Sequence, residues 1–275
     1  SGVHHPSSPQ ARNELVRLLD VYLHRQHVGT LVQNEGGQMV FEYLDSWLEN
    51  TRTVPLSHSL PLQSGLFLQK QCRGFFGGIL PEEDSRKIIA RILGISENND
   101  FAMLEQIGGE CAGAVSFLPS GTPFPYPDDE YRNLSLEQLA ELLRELPRRP
   151  LMAGSDGIRL SLAGAQDKVS VRVEDGNISL PLNSAPSTHI LKPEIVTYEG
   201  IVSNESFCLA LADIAGLTVA KATVGEVENL EYLLVERFDR EITGNGAIQR
   251  LHQEDFCQAL GYPSQNKYQG EGGPS

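Results

Sequence analysis

The chain has 275 residues, 36 acidic and 22 basic, giving a formal charge of −14 with histidines neutral. A surface of that sign repels a phosphate backbone on average, which disfavours direct nucleic-acid binding. No apolar run is long enough to cross a bilayer, and no charged start, apolar block and small-residue cleavage site opens the chain, so the expected location is the cytoplasm, with no membrane contact.

The first segment, SGVHHPSSPQARN, is polar and proline-containing, and residues 1–18 read as a leader or tag remnant without order. An α+β module is expected over residues 19–120. LDVYLHRQHVGTLVQ predicts two strands around a polar turn, and GGQMVFEYL a third after a Gly-Gly turn. LPEEDSRKIIARILG predicts a helix with acidic residues in its first turn, Ile88, Ile89, Ile92 and Leu93 on one face, and Gly94 as its stop. DFAMLEQIG and AGAVSFLP add a short helix and a closing strand. Residues 121–156 read as a linker and an amphipathic helix: FLPSGTPFPYPDDEY is rich in proline and glycine, and LSLEQLAELLRELPRR has Ser135 placed to cap it.

From residue 157 to 275 the pattern turns strand-rich. GIRLSLA and KVSVRVE predict two strands, Asp175–Gly176 a tight turn, and NISLPL the return. THILK is a strand ending at Lys192. SNESFCLALADIAG is a helix with Phe207, Ala210, Leu211 and Ile214 at i, i+3, i+4 and i+7, and Gly216 behind it. LTVAKATVGEV and EYLLVERFD predict two more strands. The four cysteines, Cys72, Cys111, Cys208 and Cys257, are widely spaced with no C-x-x-C, which reads as reduced packing thiols rather than a metal site.

The order of these elements carries the chemistry. A strand, a small-residue loop, a strand, a lysine-bearing strand, a helix with an early glutamate and two further strands is the order of a protein-kinase N-lobe. Lys192 is the candidate phosphate lysine, Glu205 its partner, and VERFD the hinge. Each piece alone has a plainer reading: a surface lysine at a strand end, a glutamate favoured by a helix dipole, and Ser161 as a solvent-facing hydroxyl.

RLSLAGAQDK, STHILKPE, NESFCLALA, VERFDR and HQEDFCQALG, in this order and spacing, resemble the HipA family of serine/threonine kinase toxins of type II toxin–antitoxin systems. VGTLVQ, PLSHSLPLQ, FFGGILPEEDSRKIIARILG and IGGECAGAV extend the resemblance through the N-terminal module, so that it covers about residues 19–275. It implies an α+β chain in which a small β-rich module with helices precedes a kinase-like N-lobe of antiparallel sheet plus helix. It also implies that Ala163, Gly164, Ala165, Gln166, Asp167 and Lys168 form the loop over the ATP phosphates. The small side chains at Ala163, Gly164 and Ala165 let backbone N–H groups approach them. Lys192 and the hinge positions Glu236 and Phe238 would complete the ATP contacts. Ser161 falls at the family's autophosphorylated position, where a phosphate would repel nucleotide and push the loop out.

The resemblance further implies ATP and Mg²⁺ as cofactors, an aminoacyl-tRNA synthetase as the kind of protein substrate, and growth arrest with persistence as the outcome. The implied partner is a HipB-like helix-turn-helix antitoxin, through which DNA is contacted only indirectly. One part of the pattern is missing. No D-x-x-x-x-N follows Arg240, so the catalytic aspartate and the Mg²⁺ ligands of the C-lobe are not in these residues, and this chain alone is expected to be inactive. The alternative expectation is a non-catalytic protein that docks an antitoxin or a kinase partner.

Overall fold

The structure is a computed structural model that describes residues 16–124, 129–195, 199–244 and 246–273. The leader expected over residues 1–18 lies outside the described residues as far as residue 15, and Arg17 already opens the first strand. Strands β1 (Arg17–Leu23), β2 (Gln26–Gln33) and β3 (Met39–Tyr43) form an antiparallel meander. Helices α1 (Asp45–Leu48), α2 (Gln69–Gly78), α3 (Glu83–Leu93) and α4 (Asp100–Ile107) follow, and β4 (Val115–Pro119) returns to pair with β1. The sheet order is β3-β2-β1-β4.

α3 begins and ends as its sequence requires, with Glu83 and Asp84 in the first turn and Gly94 in the left-handed region. Its buried stripe is not the expected one. Ser85, Arg86, Ile89 and Ala90 face inward, while Ile92 is exposed. Arg86 is drawn in by an ion pair with Asp100 and a hydrogen bond to the Glu97 carbonyl (2.7 Å), which rotates the apolar face partly outward.

The second sheet is built from β5 (Tyr131–Asn133), β6 (Val169–Glu174), β7 (Asn177–Pro181), β8 (His189–Pro193), β9 (Ala222–Val227) and β10 (Leu230–Glu236), in the order β5-β7-β6-β8-β10-β9. Between β5 and β6 lies α5 (Leu136–Glu145), capped by Ser135, whose hydroxyl accepts from Gln138 N–H while the Gln138 side chain accepts from Ser135 N–H. Helix α6 (Ile201–Ile214) connects β8 to β9. The hairpin β11 (Arg240–Ile242) and β12 (Ile248–Arg250), then α7 (Phe256–Leu260), follow the sheet. Of the expected linker, residues 125–128 lie outside the described residues, while Tyr131–Asn133 already pairs with β7.

Residues 157–163, expected as a strand, do not join this sheet. Ile158, Leu160 and Leu162 are buried as their alternation suggests, but Leu160 and Gly164 make only isolated parallel bridges, to Glu110 and Pro81 of the first module. One continuous core therefore runs through both modules, from Leu19, Phe41, Phe76 and Phe117 to Leu160, Val169, Leu191 and Tyr232. α7 closes the arrangement from the far end of the chain. The Glu254 carboxylate accepts from the Ser57 hydroxyl (2.5 Å) and the His58 N–H (3.0 Å), and Gln258 donates to the Phe75 carbonyl (3.1 Å). The second module thus cannot move without disturbing the first.

Candidate functional site

The loop of residues 161–168 is held from below by the N-terminal module. The Ser161 N–H donates to the Glu110 carbonyl and its hydroxyl to the Ile79 carbonyl, both at 2.9 Å. The Ser85 hydroxyl donates to the Ala165 carbonyl at 3.1 Å. Ser161 has 0% exposure, so the solvent-facing hydroxyl that was one reading of its sequence position is not what forms. A phosphate could be placed on it only after the loop left this seat.

Gly164 sits at φ +98°, a conformation L side chains rarely adopt. A Cβ there would also lie 2.9 Å from Lys168 Nζ. The single glycine of the loop therefore serves two ends: it permits the turn and leaves room for the Lys168 ammonium to fold back over it. That ammonium has no hydrogen bond or ion pair among the described residues. Burial, and then the neighbouring Lys192 charge, lower it from the usual lysine range to about 8. Burial raises the Asp167 carboxyl above its usual value. Ala163 and Gln166 complete the loop, both part-buried.

Lys192 lies on β8, opposite Leu233 of β10. Its ammonium donates to Glu205 in the second turn of α6. The pairing expected from order alone is thus formed geometrically, with both side chains partly open to solvent. The β8–α6 pair and the 161–168 loop together present two cationic side chains, one paired and one unpaired, beside a loop of small residues. Such an arrangement is chemically suited to an anion with several oxygens, which would relieve the Lys168 charge and accept from loop N–H groups.

The hinge has an alternating character that sequence reading did not detect. Glu236 and Phe238 are exposed, Phe238 at 73%, whereas Arg237 and Asp239 are buried. Glu236 donates its N–H to the Lys221 carbonyl and Arg237 its N–H to the Thr188 carbonyl. Among the described residues nothing accepts from the Phe238 N–H. The buried partners belong to a charge cluster at the junction of the modules. Arg237 donates to Glu110 (3.1 Å) and to both oxygens of Asp239 (2.9 and 2.7 Å), and Arg240 pairs with Glu110 and Asp239. Glu110 also accepts from the Ser187 N–H and hydroxyl, and Asp239 from the Gly113 N–H at 2.7 Å. Arg250 reaches Ser116 and the Ser184 carbonyl. Burial pushes the Glu110 carboxyl up, but Arg237, Arg240 and Arg250 outweigh it and hold the group ionised, well below the usual carboxylate range. The signal available beforehand was a lone glutamate inside the small apolar run GGECAGA and the alternation Glu-Arg-Phe-Asp-Arg.

Some of the apolar side chains expected to pack do not. On α6 only Val202 is buried, and Phe207, Leu211 and Ile214 stand in solvent, Ile214 at 84%. Phe256 and Leu260 on α7, by contrast, are exposed as expected of a lobe read without the rest of its cleft, Phe256 at 86%. Among the described residues no group of three or more His, Cys, Asp or Glu could hold a metal ion, and no helix is long and apolar enough to cross a membrane.

Comparison with known proteins places this geometry. The model of the HipA N-terminal domain matches residues 19–118, and that of the HipA-like C-terminal domain matches residues 160–275. A Sinorhizobium fredii protein named "Putative kinase Y4mE" is 44% identical over 264 residues, covering 94% of this chain and 63% of that protein. The serine/threonine-protein kinase toxin HipA of Shewanella oneidensis is 30% identical over 250 residues, covering 88% of this chain and 56% of that one. Among solved structures, a Shewanella oneidensis HipA, HipB and operator DNA complex matches with a TM-score of 0.76 and 29% identity, over 94% of this chain and 59% of that one. The chain thus spans between about half and two thirds of the length of these relatives. With both family models matched in order over its two modules, and with the same fold in a solved relative, the chain belongs to the HipA family.

Proposed function

We propose that the protein of which these residues form part is an ATP-dependent protein serine/threonine kinase acting as a growth-arresting toxin, and that residues 157–275 form the kinase-like N-lobe of its cleft, the hinge and the start of the C-lobe. One observation carries this reading: the unpaired Lys168 ammonium folded over Gly164, beside the Lys192–Glu205 pair. Bound ATP supplies the phosphoryl group for transfer. The loop N–H groups of Ala163, Gly164 and Ala165 meet phosphate oxygens, Gln166 and Asp167 shape the loop's exit, and Lys168 and Lys192 balance phosphate charge. Glu205 holds Lys192 extended toward them. Glu236 and Phe238 offer backbone groups to the adenine edge, held outward by the buried Arg237 and Asp239 on either side.

The finer assignments are supported by the family resemblance and belong to the same proposal. The substrate class is an aminoacyl-tRNA synthetase, the antitoxin is a HipB-like helix-turn-helix protein, DNA is met only through it, and the site of action is the cytoplasm. Ser161 is the autophosphorylation site. Its buried seat means that phosphate there holds the loop out and closes the site to nucleotide. The division into an α+β module over 19–120, a connecting segment over 121–156 and a kinase-like unit from 157 belongs to the same reading.

These 275 residues are proposed to transfer no phosphate by themselves. After Asp239 the sequence contains one aspartate, Asp255, and its carboxylate is occupied as the cap of α7, accepting from the Gln258 N–H at 2.7 Å. No Mg²⁺ ligand is assigned to the described residues. A second reading, a non-catalytic docking protein, draws on the exposed Phe207, Leu211, Ile214 and Phe256. The test is incubation of the 275-residue chain and of the full-length protein with labelled ATP and Mg²⁺. The expected result is label on protein in the full-length reaction only, lost with Lys192→Met. Label in neither reaction overturns the kinase reading and favours the docking one; label on the short chain overturns the proposed inactivity.

A further inference from the structure

Helix α6 carries Glu205, yet packing holds it weakly. Of its residues from Ile201 to Ile214 only Val202 is buried, and that side chain joins a small separate cluster with Leu233 and Val235. A helix with one buried side chain needs another restraint to keep Glu205 on Lys192. Its own first residues do not provide one, because the N-cap is Gly200, at φ +78°, with no side chain to cap with.

The restraint comes from the strand that bears the lysine. Glu194 stands two residues beyond Lys192, and its N–H donates to the Glu231 carbonyl at 3.2 Å, which fixes it to the edge of β10. Its two carboxylate oxygens accept from the first two helical amides, Ile201 N–H at 2.8 Å and Val202 N–H at 3.1 Å. A carboxylate at a helix N-terminus is favoured both by these bonds and by the helix dipole. The strand and the helix are therefore tied twice, by Lys192 to Glu205 and by Glu194 to the start of α6, and both ties originate within three residues of β8.

We propose that Glu194 is a positioning residue that sets the placement of α6 and thereby keeps Glu205 on Lys192. It touches no nucleotide and acts through Glu205 alone. The consequence for the proposed kinase rests on the reading of Lys192 as the phosphate lysine, but the tie itself can be read without nucleotide. Glu194→Ala removes both acceptors. Glu194→Gln keeps one and turns an amide N–H₂ toward the second helical amide, so its effect should be smaller.

The experiment measures the rate at which an amine-reactive reagent labels Lys192 in the protein, by peptide mass spectrometry, with the exposed Lys87 as the internal control. Loss of a helix cap shifts a local equilibrium by about fivefold. Glu194→Ala should therefore speed Lys192 labelling by about fivefold, Glu194→Gln by less, with Lys87 unchanged. Glu205→Gln should speed it too, and adding Glu194→Ala to Glu205→Gln should change it by less than about twofold, because a residue acting only through Glu205 has nothing left to act on. Unchanged labelling in Glu194→Ala, or a full fivefold further rise in the double variant, overturns the proposal. General unfolding of Glu194→Ala would show as a lowered denaturation midpoint; the Glu194→Gln rate then decides, a Lys192-specific rise supporting the tie and its absence overturning it. Labelling of the same lysine by an acyl-phosphate analogue of ATP reports separately on nucleotide binding. Its failure in the wild-type protein would refute the phosphate role of Lys192 and leave the tie standing.

Discussion

Two groups of charged side chains in this molecule contrast in how they are completed. At the junction of the modules, Glu110, Arg237, Asp239 and Arg240 are buried and answer one another with multiple hydrogen bonds, with exposures of a few percent at most. At the loop, Lys168 is half-buried with no hydrogen bond or ion pair among the described residues, only the more distant charges of Glu82, Asp167 and Glu205, and Lys192 is answered by one partly exposed glutamate. A buried cluster whose charges answer one another, with Arg240 Nε its one unpartnered donor among the described residues, has little need of a ligand, and it holds a geometry. A part-buried cation without a hydrogen-bonded anion costs stability that an arriving anion would recover, which is what the proposed nucleotide site requires. The contrast supports an architectural role for the first cluster, which fixes residues 237–240, and agrees with the proposed nucleotide-facing role of the second.

The largest test of the comparison is Glu110→Gln. The change keeps the shape but leaves Arg237 and Arg240 buried without their shared carboxylate, a situation that typically costs about 3–5 kcal/mol. Urea denaturation should show that loss with the slope unchanged; a loss under about 1 kcal/mol would mean that the cluster is not structural. The same group sets the acid limb. Its folded value lies below the ordinary 4.5, so the stability it contributes is complete above about that pH and is lost as the pH falls further. The Glu110→Gln variant should have a shallower acid slope.

Lys192→Met should invert that pattern. Its ion pair is partly solvated, so stability should change by no more than about 1 kcal/mol. Phosphoryl transfer by the full-length protein should fall by on the order of 10²–10³ or more, as when a single charge-stabilising group is removed. A variant that loses stability like Glu110→Gln while keeping activity would place Lys192 with the architecture instead.

How much of this could be read in advance depended on where the partners lie. The Asp175–Gly176 turn, the Gly94 stop of α3 and the order of Lys192 and Glu205 are local signals, and each formed as expected. α2 was missed because Gly74, Gly77 and Gly78 depress helix propensity, and those glycines answer to tertiary contacts: a Cβ on Gly74 would meet the Gly261 backbone at 2.6 Å and one on Gly78 the Gln258 side chain at 2.7 Å. The alternation over 158–162 is real burial, but period two cannot say that its backbone partners are Glu110 and Pro81 rather than a neighbouring strand. The α6 stripe shows the same limit, since periodicity reports an apolar face and not what covers it. The Glu110 cluster joins residues 127 to 130 positions apart, beyond the reach of any spacing rule.

The smallest expected effect is also the most specific to the open site. Lys168 is held to about 8 by burial and by the Lys192 charge. Without ligand, the folded protein therefore releases this proton near pH 8, while the unfolded chain keeps it until near the ordinary 10.5. The resulting destabilisation is fully present below about pH 8 and is relieved as the pH rises through that window, so this lysine alone makes folding more favourable from pH 8 to 10. Phosphate binding works in the opposite direction, because the added negative charge favours the ammonium form. Nucleotide binding to the full-length protein should therefore take up close to one proton at pH 9 and almost none at pH 6. Affinity should weaken by up to about tenfold per pH unit above 8. Calorimetric titrations in buffers of different ionisation heat measure the uptake directly. Lys168→Met should abolish it and lower affinity by about tenfold at pH 7, the effect of one charged contact. Lys168→Arg, charged throughout the range, should remove the pH dependence while keeping most of the affinity. Undiminished proton uptake in Lys168→Met would move the titrating group elsewhere and leave Lys168 as an ordinary surface lysine.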